Sequence, residues 1–253
     1  MDLGLKGLRA VVTGGTKGIG RAIAETLAAE GADVAICARH ADDVEQTVAA
    51  LQATGVRATG RAVDVANGPG LTAWVADVAA EFGGIDIAVS NVSALAIGTD
   101  DESWKRGFDV DMMGTVHLVN AAMPHLERSK AASIVTISSV SGREIDFAAG
   151  PYGAFKAALI HYTQGLAYQL AGKGIRANSV SPGNTYFEGG VWNQIKDGNP
   201  DLYATALALN PTGRMGTPQE MANATVFLAS PAASFITGTN LVVDGALTRG
   251  VQF

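Results

Sequence analysis

A tyrosine and a lysine stand four positions apart in the segment "GPYGAFKAALIHY", residues 150–162. In a helix, side chains at this spacing share one face, with about 5–6 Å between their Cβ atoms. Tyr152 and Lys156 would then place a phenol beside an ammonium group, a pair that could exchange a proton with a carbonyl or alcohol. The same spacing also arises on ordinary helix surfaces, so the pair needs support from other motifs.

A free phenol is almost fully protonated at neutral pH and is therefore a poor acid–base catalyst. Two nearby cations would favour phenolate: an ammonium group one helical turn away and the positive nicotinamide ring of an oxidised dinucleotide. The pair therefore predicts catalysis if such a cofactor binds beside it.

A glycine-rich segment near the start of the chain could hold that cofactor. "VVTGGTKGIGRAIAETLA" places Gly14, Gly18 and Gly20 between an apolar run and an amphipathic run. Glycines permit a tight turn and let a pyrophosphate approach the amides at a helix N-terminus, where the helix dipole favours anions. A strand before this loop and a helix after it predict a dinucleotide-binding site.

The elements that must position these motifs alternate along the chain. Apolar runs predict seven strands, at 9–14, 33–38, 57–65, 85–90, 133–139, 175–181 and 240–245. Amphipathic runs predict helices at 18–29, 41–53, 68–82, 102–128, 152–171 and 217–229. Strands that are apolar throughout are typical of a parallel sheet covered on both faces. The pattern predicts an α/β protein, with one doubly wound Rossmann-type domain over residues 1–253 and a parallel seven-stranded sheet.

The spacing Gly-x-x-x-Gly-x-Gly resembles the fingerprint of the short-chain dehydrogenase/reductase family. Further matches cover nearly the whole chain: Asp64, "SNVS" (90–93), "ISS" (137–139), the Tyr152–Lys156 pair and "SPGNT" (181–185). The chain is identified as a member of this family, in the branch similar to 3-oxoacyl-[acyl-carrier-protein] reductases. The resemblance implies an NAD(P)-dependent oxidoreductase acting on CH–OH groups.

The resemblance also implies roles for individual residues. Tyr152 would exchange the proton with the substrate, Lys156 would bond the nicotinamide ribose, and Ser139 would hydrogen-bond the substrate oxygen. Asp64 would contact the adenine, although it could instead cap the following helix. Besides Tyr152 and Lys156, the implied cofactor-binding residues are Gly14, Thr16, Lys17, Gly18, Ile19, Gly20, Asp64, Val65, Asn91, Pro182, Gly183 and Thr185.

The end of the second strand bears on the choice of cofactor. An acidic residue there selects NAD, whereas an arginine accommodates the 2′-phosphate of NADP. The strand ends at Arg39, and Lys17 could add a second charge to the same phosphate. We therefore expect NADP(H) to be preferred and NAD(H) to be possible; in the alternative interpretation both residues are solvated surface cations.

Two positions depart from the family pattern. The segment "VDMMG" (110–114) carries Asp111 where the family has an asparagine that helps to hold a water linked to the lysine. We expect Asp111 to add a negative charge near Lys156, which would oppose phenolate formation and slow the reaction or shift its pH optimum. Ser93 stands where the family usually has glycine.

Composition excludes several other function classes. The net charge is −6 and the basic residues are scattered, so we expect neither a nucleic-acid nor a membrane partner. Four dispersed histidines predict no metal site. Cys37 lies in a predicted buried strand, and the N-terminus lacks the apolar stretch of a signal peptide. These features predict a cytoplasmic protein that binds small molecules.

The strand–helix rhythm breaks at about 184–217, a segment predicted to be a substrate loop or lid; the alternative is a surface excursion. Apolar residues expected near the cleft favour a hydrophobic ketone as substrate: Leu95, Phe147, Phe187 and Trp192. Similar proteins form tetramers through the helices predicted at 102–128 and 152–171, so we expect a homotetramer, unless these helices are buried within the subunit. The C-terminal "GALTRGVQF" could reach a neighbouring subunit.

The leading hypothesis is therefore an NADP(H)-dependent carbonyl reductase or alcohol dehydrogenase. An NAD(H)-linked dehydrogenase of a sterol, cyclic diol or polyol is the first alternative. A nucleotide-binding redox sensor without turnover is the second.

Overall fold

The computed structural model describes residues 1–251. One sheet runs through it, with seven strands in the order β3-β2-β1-β4-β5-β6-β7 and every neighbouring pair parallel. The strands are β1 (Arg9–Thr13), β2 (Asp33–Ala38), β3 (Ala58–Ala62), β4 (Ile87–Ser90), β5 (Ser133–Ile137), β6 (Arg176–Pro182) and β7 (Asn240–Val243). The predicted doubly wound parallel sheet is confirmed.

Nine α-helices are present in residues 1–251. They are α1 (Gly18–Ala29), α2 (Ala41–Gln52), α3 (Gly68–Phe82), α4 (Asp101–Gly107), α5 (Gly114–Leu126), α6 (Pro151–Leu170), α7 (Val191–Gly198), α8 (Pro200–Ala208) and α9 (Pro218–Ala229). In this described part of the chain, no helix is both long enough and apolar enough to cross a membrane.

The helices cover both faces of the sheet, because successive strand residues point to opposite sides. Val11 joins the core that contains α3, α5 and α6, whereas its neighbour Val12 joins the core that contains α1, α2 and α9. The two apolar layers explain why β1, β2, β4 and β5 are buried along nearly their whole length, whereas the edge strand β3 ends in exposed residues. The layers also hold the carboxyl ends of the strands in fixed positions.

Two predicted segments differ from the structure. The helix expected at 102–128 is divided into α4 and α5 by a π-helical segment at Phe108–Met113. The segment 184–217, expected to be a loop, contains α7 and α8. The residues Asn199 and Pro200 are typical of a helix start and are a sequence signal for α8. In the structure Asn199 caps the Leu202 amide, and Pro200 lies in the first helical turn.

Candidate active site

A cleft of about 880 Å³ opens along the carboxyl edge of the sheet. The strand order reverses between β1 and β4, which lie side by side, so the crevice beyond their carboxyl ends is a topological switch point. Open α/β sheets bind ligands at such points, and the volume is in the range of ligand-binding clefts. Residues that follow six of the seven strands contribute to its lining.

The glycine loop forms the floor of one end of the cleft. Gly14 and Gly18 have positive φ angles of 66° and 53°, which L-residues with a Cβ rarely adopt. A Cβ at Gly20 would lie 2.1 Å from the carbonyl oxygen of Gly14, so Gly20 lets α1 approach the loop closely. Gly14 and Gly18 line the cleft, whereas Gly20 is buried beneath it.

The charges near the end of β2 are more mixed than the sequence suggested. Arg39 is exposed and lines the cleft, and within residues 1–251 it forms no ion pair. Lys17 Nζ lies 2.7 Å from Asp43 Oδ2, and this contact holds the pKa of Asp43 below its usual value. Lys17 is therefore paired with an acidic side chain in the region where we expect the 2′-phosphate, and its contact with that phosphate stays a prediction. Asp43 is a cleft residue that sequence reasoning missed.

Asp64, Val65 and Asn91 line the cleft as predicted. Asp64 accepts the Ala66 amide at 3.0 Å, while α3 is capped by Asn67. The alternative interpretation of Asp64 as a helix cap is therefore wrong. Asn91 Nδ2 donates to the carbonyl oxygens of Thr13 and Gly14, at 3.3 and 3.2 Å, and so connects the end of β4 to the glycine loop.

Tyr152 and Lys156 lie on α6 and both line the cleft. Lys156 Nζ lies 5.7 Å from the centroid of the Tyr152 ring. The lysine is fully buried, and its ammonium donates to the carbonyl oxygen of Ile137 at 3.1 Å. The spacing expected from an i,i+4 pair is therefore realised with the charge held inside the protein.

Asp111 lies directly against this ammonium group. Its Oδ1 is 3.1 Å from Lys156 Nζ, and both side chains are 2% exposed. The contact is at ion-pair distance but lacks hydrogen-bond alignment, and Oδ1 has no hydrogen-bond partner. Oδ2 accepts the Ala94 amide at 2.8 Å, so Asp111 also holds the loop after β4. Asp111 itself does not line the cleft.

The π-helical segment explains how an aspartate reaches this position. A π-helical turn inserts extra backbone into a helix and commonly marks functional sites. The main-chain oxygen of Asp111 accepts the Thr115 hydroxyl at 2.8 Å, and that hydroxyl also contacts Ser90 Oγ at 2.8 Å. These bonds fix the carbonyl group of Asp111 as well as its side chain.

The two serines after β5 have different partners. Ser138 Oγ donates to the main-chain oxygen of Lys156 at 2.7 Å and so holds α6 against the sheet. Ser139 lines the cleft, and its Oγ contacts Ser141 instead. Of the two, Ser139 is the serine whose hydroxyl is not committed to α6.

The chain after β6 covers the other side of the cleft. Pro182, Gly183 and Thr185 line it as predicted, and the Thr185 hydroxyl donates to the Gly183 carbonyl at 3.0 Å. The Phe187 ring packs directly against the glycine loop. Its Cζ is so near Gly18 that a Cβ on that residue would lie only 2.5 Å away. This contact connects the 184–217 segment to the dinucleotide end of the cleft.

The apolar residues expected near the cleft separate into two groups. Leu95, Phe187 and Trp192 line it. Phe147 does not, but its ring packs edge-on against Trp192, with centroids 5.7 Å apart. Three of the four expected apolar residues therefore line the cleft, and the fourth supports one of them.

The structure thus brings nearly all the predicted site residues to one cleft. Its lining includes Gly14, Thr16, Lys17, Gly18, Ile19, Arg39, Asp64, Val65, Asn91, Ser139, Tyr152, Lys156, Pro182, Gly183 and Thr185. Gly20 and Asp111 lie behind this surface. Among residues 1–251, no group of three or more metal-ligating side chains could hold an ion.

Two predictions concern residues away from the lining. Cys37 is buried, and burial raises the pKa of its thiol to about 12, so it carries no thiolate at neutral pH. In the C-terminal segment, the Arg249 and Gly250 amides donate to Glu144 of the same chain. Gln252 and Phe253, the end of the segment expected to reach a neighbour, lie outside the described residues.

Comparison with known proteins places this geometry among oxidoreductases. Residues 14–248 match the family model described as enoyl-(acyl carrier protein) reductase. The chain is 42% identical over 260 residues to isoepoxydon dehydrogenase of Penicillium expansum, covering 100% of this chain and 99% of the relative.

Two solved structures share the fold over nearly their full length. L-sorbose reductase from Gluconobacter frateurii, complexed with NADPH and L-sorbose, superposes with a TM-score of 0.91 at 31% identity, covering 99% of this chain and 100% of that one. A 7α-hydroxysteroid dehydrogenase complexed with NADH and 7-oxo glycochenodeoxycholic acid gives a TM-score of 0.90 at 30% identity, covering 97% and 96%. The two complexes contain different nicotinamide cofactors.

Proposed function

The chain belongs to the short-chain dehydrogenase/reductase family and is an NAD(P)-dependent oxidoreductase of CH–OH groups; on that basis we propose that it interconverts a ketone and its secondary alcohol with NADP(H). The observation that carries this proposal is the placement of Ser139, Tyr152 and Lys156 in one cleft with the glycine loop. A proton donor, a cation and a dinucleotide floor are the parts that carbonyl reduction needs.

The residues of the cleft fit a nicotinamide cofactor. The positive φ angles of Gly14 and Gly18 form the tight turn at the N-terminus of α1 that a pyrophosphate could approach, and the Phe187 ring packs against Gly18 beside it. We propose that Thr16, Ile19 and Thr185 would lie around the pyrophosphate of the cofactor. Asp64, Val65 and Asn91 would lie around its adenosine. When bound, the cofactor supplies or accepts the hydride.

The chain itself moves the proton. Tyr152 would give its phenolic proton to the oxygen of the substrate during reduction and take it back during oxidation. The Lys156 ammonium, which is 5.7 Å from the ring centroid, stabilises the phenolate that remains after reduction. Ser139 would hydrogen-bond the same substrate oxygen and fix its position. Asp111 would keep Lys156 in place and reduce its effect on the phenol.

Arg39 supports a preference for NADP(H), because its guanidinium lies exposed just after β2 and has no ion-pair partner in the part of the chain that the structure describes. A guanidinium can bind a phosphate with two parallel hydrogen bonds. Asp43 opposes this preference, since it neutralises Lys17 in the same region. The second candidate is therefore an NAD(H)-linked dehydrogenase of a sterol, cyclic diol or polyol, with Asp43 as the observation in its favour.

The lining supports a substrate with a hydrophobic body. Leu95, Phe187 and Trp192 present apolar surface at the cleft, and Phe147 supports Trp192 from behind. The segment 184–217, which we propose as the substrate lid of a single domain, contributes Phe187 and Trp192. Assembly as a homotetramer and a cytoplasmic location stay predictions.

A direct test follows the consumption of NADPH and NADH by the purified protein with hydrophobic ketones, acetoacetyl thioesters and quinones. We expect turnover with a hydrophobic ketone and a lower KM for NADPH than for NADH. Tighter NADH binding would favour the second candidate. Tight nucleotide binding without turnover on any carbonyl or alcohol would overturn the enzymatic proposal.

A further inference from the structure

A short hydrogen-bonded chain connects Ser139 to a carboxylate in the loop after β5. Ser139 Oγ lies 3.2 Å from Ser141 Oγ and 3.1 Å from the Ser141 amide nitrogen. Ser141 Oγ lies 2.6 Å from Asp146 Oδ2, and Asp146 Oδ1 accepts the Ala148 amide at 2.8 Å. The chain therefore runs from the lining of the cleft to a half-buried acid outside it.

The Asp146 carboxylate determines which hydroxyl group donates and which accepts along this series of hydrogen bonds. A carboxylate only accepts hydrogen bonds, so the Ser141 hydroxyl must donate to Asp146. A hydroxyl has a single hydrogen, so Ser141 Oγ can then only accept from Ser139. Ser139 consequently directs its hydrogen at Ser141 and uses one lone pair for the Ser141 amide. It offers the substrate a single lone pair and no hydrogen.

We propose that Asp146 and Ser141 are positioning residues that direct the Ser139 hydrogen away from the substrate oxygen and so weaken its hydrogen bond to both the ketone and the alcohol. This inference rests on the proposed function. A ketone oxygen only accepts, so it must compete with Ser141 for the Ser139 hydrogen. In the complex that reacts, the alcohol directs its single hydrogen at Tyr152, so its oxygen must also compete with Ser141 for the Ser139 hydrogen.

The size of the effect follows from the bond that the ketone must replace. A neutral hydrogen bond in a protein contributes a modest net free energy, which corresponds to about a threefold to tenfold change in affinity. If the Ser139 hydroxyl no longer donates to Ser141, its hydrogen is available to the substrate oxygen. The KM for the ketone should then fall by this factor. The KM for the alcohol should fall by a similar factor, because the alcohol oxygen accepts the same Ser139 hydrogen while its own hydrogen points at Tyr152.

Two substitutions make the Ser139 hydrogen available to the substrate in different ways. In Asp146→Asn, the amide oxygen can keep the Ala148 bond while the amide nitrogen donates to Ser141 Oγ, which turns the Ser141 hydrogen towards Ser139. In Ser141→Ala, the acceptor is absent, but the backbone amide that contacts Ser139 remains. Glu144→Gln is the matched control, because it removes a charge from the same loop, and within residues 1–251 the Glu144 side chain accepts hydrogen bonds only from the Arg249 and Gly250 amides.

The experiment measures KM and kcat for a ketone and its alcohol in all four proteins. We expect Asp146→Asn and Ser141→Ala to lower the ketone KM about threefold to tenfold, with Glu144→Gln equal to the natural protein. If the two residues only support the loop, both variants will instead raise the ketone KM or lower kcat. That result, an unchanged KM, or a decrease in only one variant overturns the inference.

The proposed function is judged separately, from the turnover of the natural protein. An active natural protein with unresponsive variants would remove the role of Asp146 and leave the reaction class intact. A natural protein that reduces no ketone would remove both.

Discussion

Two buried aspartates at opposite edges of the sheet differ in how they contact a neighbouring cation. Asp86, at the amino edge, accepts the Arg9 amide at 2.9 Å, Arg9 Nε at 2.7 Å, Arg9 Nη2 at 2.8 Å and the Ser129 hydroxyl at 2.6 Å. Asp111, at the carboxyl edge, accepts one hydrogen bond, from the Ala94 amide. The Lys156 ammonium lies 3.1 Å from its other oxygen but is not aligned for hydrogen bonding. Both carboxylates are almost inaccessible to solvent.

The difference separates a structural ion pair from one beside a reaction site. Buried polar atoms are normally satisfied, and exceptions concentrate where function requires them. Around Asp86 both oxygens are occupied, so the contacts connect β1, β4 and the end of α5. Around Asp111 one oxygen has no hydrogen-bond partner, next to the lysine that we propose acts on Tyr152. We infer that the amino edge contributes stability and the carboxyl edge contributes chemistry.

Replacement of Tyr152 by phenylalanine is the strongest test of that separation. Removal of the proton donor should lower kcat by about 10²–10⁴-fold, the usual contribution of general acid–base catalysis. Cofactor binding, followed by NADPH fluorescence, and the free energy of unfolding should change little. Unaltered turnover would contradict the assignment of the carboxyl edge as the reaction site.

Arg39→Ala sharpens the comparison at the cofactor end of the same edge. Loss of a charged partner for the 2′-phosphate should raise the KM for NADPH about 10- to 100-fold and leave the KM for NADH nearly unchanged. Lys17→Ala is the control and should have a smaller effect, because Asp43 already pairs with that lysine. An equal rise for both cofactors would remove the argument for phosphate recognition.

Asp86→Asn tests the amino edge and should lower the free energy of unfolding by about 1–3 kcal/mol, since an amide cannot accept every bond from Arg9. We place the effect below that of a fully buried pair because Arg9 is 26% exposed. Urea unfolding measures the change, and kcat/KM should stay at the natural value. A large loss of activity at full stability would contradict the structural assignment.

The pH dependence of this effect has a definite sign. Burial raises the pKa of Asp86, but hydrogen bonds from Arg9 and Ser129 outweigh burial and hold the pKa below its ordinary value. A lowered pKa contributes stability that is complete above about pH 4, the unfolded value, and is lost as pH falls through the folded value. The difference between Asp86→Asn and the natural protein should therefore be full at pH 7 and shrink below about pH 4.

Asp111→Asn should have the smallest effect and tests whether the unsatisfied carboxylate opposes phenolate formation. Removal of the negative charge next to Lys156 should shift the acidic limb of the pH–rate profile for oxidation to lower pH by about one unit. The asparagine can still accept the Ala94 amide, but the buried Lys156 ammonium loses its counter-ion. The unfolding free energy is therefore measured beside the profile, so that a loss of stability is distinguished from a shift in the pH dependence. Indistinguishable profiles would show that Asp111 only supports the loop.

The sequence was informative where local chemistry decides structure. Gly14 and Gly18 mark a turn with positive φ angles, and their place between a strand and a helix predicted the floor of the cleft. The spacing of Tyr152 and Lys156 predicted their shared face because an α-helix has a fixed period. By contrast, the division of the 102–128 helix by a π-helical segment had no comparable signal, since both helix types use the same apolar residues.

The sequence by itself determined the succession of strands and helices along the chain and the glycine turn, because these depend on periodicity and backbone preference within short segments. The resemblance to a known family supplied most of the predicted site residues, and nearly all of those line the cleft. Only the tertiary structure decided that Lys17 pairs with Asp43 and that Ser139 connects to Asp146 through Ser141, and it placed Asp111 at ion-pair distance from Lys156, where the resemblance had led us to expect a negative charge. Such contacts depend on side-chain direction and on ångström-scale distances between elements. Since charge interactions change steeply with distance and burial, the packing of the elements sets the electrostatics of the site.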